Sequence, residues 1–207
     1  MTVRRIIPAI ALALLFFANP ASADPTQDAS AFIDEYGHRA IAQLTEPNLS
    51  DDDLFKRFRA LFDEGFDIPA IGRSALGRFW PRATDQEKAE YLKVFEDYIV
   101  EVYANKFRHY SGETFKVTGN QPAAEGAVVV ASTVDQSDGA TTKISWTVGF
   151  VDGKQKIEDI KIEGVSLIIS YRDQFASEIL QHDGKVSGLI DALREKTAHG
   201  DSAGSSG

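Results

Sequence analysis

Apolar residues between Ser50 and Tyr110 fall three and four apart, between Thr114 and Glu163 they alternate with polar ones, and beyond Gly164 the wider spacing returns. The first and last patterns are those of helices buried on one face; the middle pattern is that of strands. Residues 28–45 predict a helix, with Ala31, Phe32, Tyr36, Ala40, Ile41 and Leu44 at helical spacing. Ser50 before three aspartates marks a second helix start, because a hydroxyl caps the free N–H groups and acids suit the positive end of the helix dipole. That helix carries Leu54, Phe55, Phe58, Leu61 and Phe62 on one side. Asp67-Ile68-Pro69 opens a short helix with proline in the permitted first turn, and Gly77 ends it. Thr84-Asp85-Gln86-Glu87 is a capping box that opens the longest helix, running to about Tyr110.

Residues 114–119, 126–135, 142–151 and 155–163 predict strands, with hairpin turns at Asp135–Gly139 and at Asp152-Gly153. In the third, Ile144, Trp146, Val148 and Phe150 share one face. Consecutive strands favour an antiparallel meander. Helices follow over 165–181 and 185–197, separated by Asp183-Gly184. The order predicts an α+β fold in which a curved antiparallel sheet faces helices that come before and after it.

The N-terminus alters the compartment. Arg4 and Arg5 precede an apolar run from Ile6 to Ala18, then Asn19-Pro20-Ala21-Ser22-Ala23. A cationic start, a short apolar centre and an A-x-A exit form a secretory signal peptide. The run is shorter than the roughly 20 residues needed to span a bilayer. Cleavage after Ala23 leaves residues 24–199 as one domain and 200–207, which lack large apolar residues, as a flexible tail. Loss of Arg4 and Arg5 leaves 20 basic residues against 31 acidic ones, so the formal charge moves from −9 to −11. Such an acidic chain repels phosphate backbones and anionic membrane surfaces, which argues against nucleic acid as a partner. The absence of cysteine removes thiol catalysis and thiolate metal sites.

Little else in the sequence carries chemistry. The histidines at 38, 109, 182 and 199 lack metal-ligand spacing; His182 adjoins a helix end, where histidine commonly caps carbonyls. Glu163-Gly164-Val165-Ser166-Leu167 faintly resembles a nucleophile elbow, but Ile168 stands where the second glycine is required. Ser166 reads better as a helix cap and Gly164 as a turn. Alternation sets Glu158 on the opposite face from Asp159 and Glu163, as solvent-facing acids. No nucleotide-binding glycine motif occurs. Thirteen phenylalanines, six tyrosines and two tryptophans suit either a filled core or a cavity between helices and sheet.

One run is distinctive. Ile160 to Phe175 contains Glu163-Gly164-Val165-Ser166-Leu167, then Tyr171-Arg172 and Gln174-Phe175. It resembles the signature of the MlaC family, a strand entering EGVSL and then a helix bearing YR-QF. Phe62 through Ile68, Gly72-Arg73, Leu76-Gly77, Phe79-Trp80, Thr84, Phe95, Tyr98, Tyr103-Ala104 and Tyr110 through Glu113 match in order, over about residues 30–195. The resemblance implies a non-enzymatic periplasmic carrier with no cofactor. Its fold is NTF2-like, enclosing an apolar cavity that takes phospholipid acyl chains. The implied partners are an outer-membrane lipoprotein complex and an inner-membrane ABC transporter with an MCE-type substrate-binding protein. Phe66–Trp80 and Phe95–Val117 also resemble a hopanoid-associated branch, which leaves the lipid open between diacyl phospholipid and hopanoid. An apolar peptide held by a chaperone-like module, or an enzyme on the same scaffold, are the competing readings.

The expected lining from the sheet is Val130, Ile144, Trp146, Val148 and Ile160; from the later helices and turns it is Phe79, Tyr98, Val102, Val165 and Leu167. Arg172 is expected to pair with a carboxylate, the alternative being a lipid headgroup.

Overall fold

The computed structural model describes residues 25–199 except His109 and Ser111. The expected signal peptide, the expected tail after His199 and the histidine at 109 lie outside the described residues.

Four helices come first: α1 Pro25–Leu44, α2 Asp51–Gly65, α3 Ile68–Leu76 and α4 Asp85–Phe107, with a 3₁₀ segment Gly77–Arg82 between the last two. The expected caps are in place. Ser50 Oγ accepts from the Asp53 N–H, and Asp67 accepts from the Ala70 N–H. At α4 both halves of the capping box form: Thr84 accepts from the Glu87 N–H, and Glu87 accepts from the Thr84 N–H at 2.8 Å.

The sheet is a five-stranded antiparallel meander in chain order: β1 Thr114–Pro122, β2 Val128–Asp135, β3 Thr141–Val151, β4 Lys154–Ile162 and β5 Val165–Ser166. Two irregularities bend it, one at Val117/Gly119 and one where β3 meets β4. In the second, Thr147 pairs with Asp159 and Val148 with Ile157, which leaves Glu158 as the extra residue. The bulge resets the alternation, so Ile157 and Ile160, three residues apart, both face the helices. Glu158 lies against Gly149, where a β-carbon would stand 1.9 Å from its Oε1, so a larger residue there would displace the carboxylate. Burial, followed by the negative charges of Asp67 and Glu125, raises the pKa of Glu158 above the usual carboxylate range.

The chain ends in α5 Leu167–Gln181 and α6 Val186–His199. Residues 165 and 166 were expected in this helix; they instead form β5, pairing Val165 with Ile162 and Ser166 with Lys161. Glu163 and Gly164 make the reversal with φ of 49° and 83°, the left-handed conformation a tight hairpin needs. Ser166 then caps α5 by accepting from the Ile169 N–H. Arg172 departs from expectation: its Nε–H donates to the Ser74 carbonyl at 2.8 Å, so it satisfies the end of α3 rather than a carboxylate. The His182 ring meets the Glu178 carboxylate at 3.1 Å instead of a helix carbonyl.

Two cores form. One joins α3, α4, α5 and α6 around Tyr91, Phe95, Phe175, Ile179, Leu189 and Leu193. The other joins α1 and α2 to the sheet through Ile33, Leu61, Val130, Val148 and Ile157. Phe55, Phe58 and Phe66 touch both. No helix among the described residues is long and apolar enough to cross a membrane.

Thr84→Ala removes one half of the capping box and should cost about 1 kcal/mol. The measurement is the urea midpoint, which should fall with an unchanged slope; an unchanged midpoint would show that α4 does not depend on its cap.

Candidate functional site

Between the two cores lies a cavity of about 720 Å³. Its wall comes from six sources, among them α3 with Ile71 and Ala75. Helix α1 contributes Gly37, Ala40, Ile41 and Leu44, and α2 contributes Phe58, Leu61 and Phe62. Helix α4 contributes Phe95, Ile99, Tyr103 and Phe107; the sheet contributes Phe115, Val134, Ile144, Trp146, Ile160 and Ile162; and α5 contributes Leu167, Ile168 and Tyr171.

Helical periodicity explains the α2 wall. Phe58, Phe62 and Phe66 recur every four residues, so their rings form one column, with centroids 6.3 and 4.7 Å apart. Phe107 continues it on one side at 5.9 Å and Tyr36 on the other at 6.2 Å. The Tyr36 hydroxyl donates to the Leu61 carbonyl at 2.8 Å, so this buried phenol is satisfied. Burial, with the Glu64 charge adding to it, pushes its pKa well above the ordinary tyrosine value.

The sheet lines the cavity along only half its length. Val128, Val130, Val148 and Ile157 are fully buried with Ala29 and Ile33 of α1. Further along the same face, Val134, Thr142, Ile144, Trp146, Ile160 and Ile162 border the void. Trp146 stands at the boundary. Its indole N–H donates to the buried Ser132 hydroxyl at 2.8 Å, which holds the ring edge-on to Phe115.

Of the expected lining residues, Ile144, Trp146, Ile160 and Leu167 border the cavity. Val130 and Val148 have the right face but lie under α1. Phe79, Tyr98 and Val102 are packed inside the helical core, since they project to the side of their helices that meets α5 and α6. Val165 is 60% exposed: in β5 rather than a helix, its side chain turns to solvent. The contributions of α1 and α2 were missed. The signal for them was the same stripe of apolar residues, which does not tell a wall from a core.

Polar groups border the cavity mainly at its mouth: Lys106, Tyr110, Glu113, Gln136, Thr142 and Asp159. Asp159 is engaged with α5, accepting from the Ser166 hydroxyl at 2.8 Å. Among the described residues no group of three or more His, Asp or Glu is placed to hold a metal ion. A second concavity of about 560 Å³ is bordered by Asp63, Asp67, Lys93, Glu96 and Lys156. Lys156 there serves α2, donating to the Asp63 and Glu64 carbonyls at 2.9 and 2.7 Å.

The sequence profile described as MlaC protein matches residues 35–195. The chain belongs to the MlaC family. It is 20% identical over 133 residues to the toluene tolerance protein ttg2D of Pseudomonas putida, an overlap of 64% of this chain and 62% of that relative. It thus spans less than two thirds of that relative's length. The fold also matches a phospholipid-binding protein from Ralstonia solanacearum, solved in complex with a phospholipid. The TM-score is 0.72 at 26% identity, over 83% of this chain and 98% of that one. The order of elements in this MlaC-family chain is therefore shared with a relative whose solved form holds a lipid.

Filling the void should be tolerated by the fold. Ile160→Trp should reduce the fluorescence gained by anilinonaphthalene sulfonate several-fold while leaving circular dichroism unchanged. Val165→Asp, on the solvent side, should leave both the dye signal and the stability within about 0.5 kcal/mol of the parent. Equal dye binding by the parent and Ile160→Trp would show that the dye reads another surface.

Proposed function

We propose that this protein is a non-enzymatic carrier that holds the acyl chains of a phospholipid in the cavity and leaves the headgroup in water. The void itself carries this reading. The void opens at its mouth and is walled mostly by apolar side chains, and every 100 Å² of such wall left against water forgoes roughly 2.5 kcal/mol of burial. Ordered water is a poor filler, because it needs two to four polar partners and the inner wall is leucine, isoleucine and phenylalanine. An apolar guest resolves the cost, and the phospholipid held by the Ralstonia relative supports its identity.

Transport follows from the same physics. Each methylene hidden from water is worth about 0.8 kcal/mol, so a free diacyl lipid does not cross an aqueous gap at a useful rate. A shell that encloses the tails removes that barrier, while an exposed headgroup avoids burying an unpaired charge. On this reading the signal sequence is cleaved after Ala23 and the carrier works in the periplasm. It exchanges lipid with an outer-membrane lipoprotein complex and with an inner-membrane ABC transporter bearing an MCE-type substrate-binding protein. No cofactor or nucleophile is required. Net acidity helps it leave anionic membranes after delivery.

The test is native mass spectrometry of protein purified from cells, with organic extraction of the guest. A co-purifying phospholipid in stoichiometric amount is expected. A hopanoid in its place would reassign the cargo, and a bound peptide would overturn the lipid reading. Trp146→Glu sets a carboxylate at the cavity wall and should abolish occupancy in protein that still shows native circular dichroism. Full occupancy in that variant would place the lipid elsewhere.

A further inference from the structure

Helix α4 lies along the cavity like a ruler. Phe95, Ile99, Tyr103 and Lys106 of this helix border it, as does Tyr110 just beyond its end. Phe95 and Ile99 are buried, whereas Lys106 is exposed. At 1.5 Å per residue, Tyr103 lies about 4–5 Å deeper than Lys106 and about 12 Å from Phe95. Lys106 has no carboxylate at ion-pair distance among the described residues; its ammonium rests 5.1 Å from the Tyr103 ring centroid. Beside Tyr103 on the cavity wall is Tyr171 of α5, whose hydroxyl donates to the Tyr103 oxygen at 3.3 Å.

That bond is long for two hydroxyls, which prefer about 2.7–2.8 Å. Two phenols also bring two protons to a single hydrogen bond, so whichever one donates, the other proton has no acceptor among the described residues. Burial pushes the phenols of Tyr103 and Tyr171 above their ordinary range, so both remain protonated donors at neutral pH. A donor left unmatched in an otherwise apolar wall costs free energy until an acceptor arrives.

We infer that the Tyr103–Tyr171 hydroxyl pair is the recognition point for a carbonyl oxygen of the lipid's glycerol esters. The inference rests on the carrier reading and adds to it the chemical class of the cargo: acyl ester, not alkyl ether or ring hydrocarbon. The spacing fits a phospholipid, whose ester carbonyls lie a few bonds from the phosphate. A phosphate held near Lys106 at the mouth sets those carbonyls at the depth of the phenols and the acyl chains against Ile99 and Phe95.

The experiment compares two synthetic lipids with the same phosphoethanolamine headgroup and chain length, one diester and one diether, titrated into the delipidated full chain. The parent should bind the diester roughly 2- to 10-fold more tightly, the range of one net hydrogen bond. The double variant Tyr103→Phe/Tyr171→Phe keeps both rings. It should lose that preference by weakening the diester while leaving diether affinity unchanged. Equal binding of the two lipids by the parent overturns the inference and leaves the carrier standing. So does a preference that survives in the double variant. Binding of neither lipid by the folded parent overturns the carrier reading itself. Should the double variant not fold, the parent comparison and Tyr103→Phe alone still decide.

Discussion

A bent sheet cannot be covered end to end by one straight helix, and the organisation of this protein depends on that mismatch. The inward face of β2, β3 and β4 is apolar from Val128 and Val148 to Val134 and Ile144 except at Ser132, whose hydroxyl is taken up by Trp146. The first part of α1 closes over one end with Ala29 and Ile33. Its later part, Gly37 to Leu44, runs along the far wall of the void instead. The bulge at Glu158 contributes directly. It bends β4 and brings Ile160 and Ile162 onto the same face as Ile157, so the apolar surface continues past the point where α1 stops covering it. What a filled sandwich would use as core becomes the wall of a chamber.

The second core makes the chamber tolerable. Tyr91, Phe95, Phe175 and Ile179 lock α4 to α5, with Phe95 and Phe175 edge to face at 6.1 Å, and α6 packs behind them through Leu189 and Leu193. Most of these contacts lie away from the cavity, with Phe95 and Ile99 bordering both. The aromatic column of Phe58, Phe62 and Phe66 then ties it to the sheet. Large flat side chains suit that role, since they bury much area with few rotatable bonds. A guest can leave without removing the contacts that hold either body together.

Polar groups around the chamber are satisfied by the protein in most places. Tyr36 is bonded to a carbonyl, Ser132 to Trp146, and Asp159 to the start of α5. The tyrosine pair between α4 and α5 is the exception, sharing one long bond. Among the described residues the weakly matched polar groups at the cavity are this tyrosine pair and Lys106, and on the carrier reading they set the orientation of a guest while the volume sets its capacity. That is the general pattern of ligand cavities, in which apolar walls supply affinity and a few polar groups supply direction.

The amino-acid sequence alone determined the elements, their order and the caps that start them: Ser50, Asp67, Thr84 and Ser166 act through contacts within a few residues, so local chemistry suffices to read them. It also determined which face of β2 and β3 turns inward, because alternation is a property of the chain itself; in β4 the bulge at Glu158, set by pairing with β3, reset that alternation. Depth along that face was decided only by the tertiary structure. Val148 and Ile144 have the same phase and similar chemistry, yet one lies under Ile33 and the other borders the cavity, since the difference rests on where a helix over a hundred residues earlier ends its contact. The same holds for Tyr98 and Tyr103, neighbours on one helix facing a core and a void. Val165 shows the limit from the other side: two residues of strand pairing with β4, a long-range hydrogen-bonding choice, turned an expected wall residue out to solvent. Periodicity records direction from the backbone, but emptiness is a relation among several elements, and no single stretch of chain contains it.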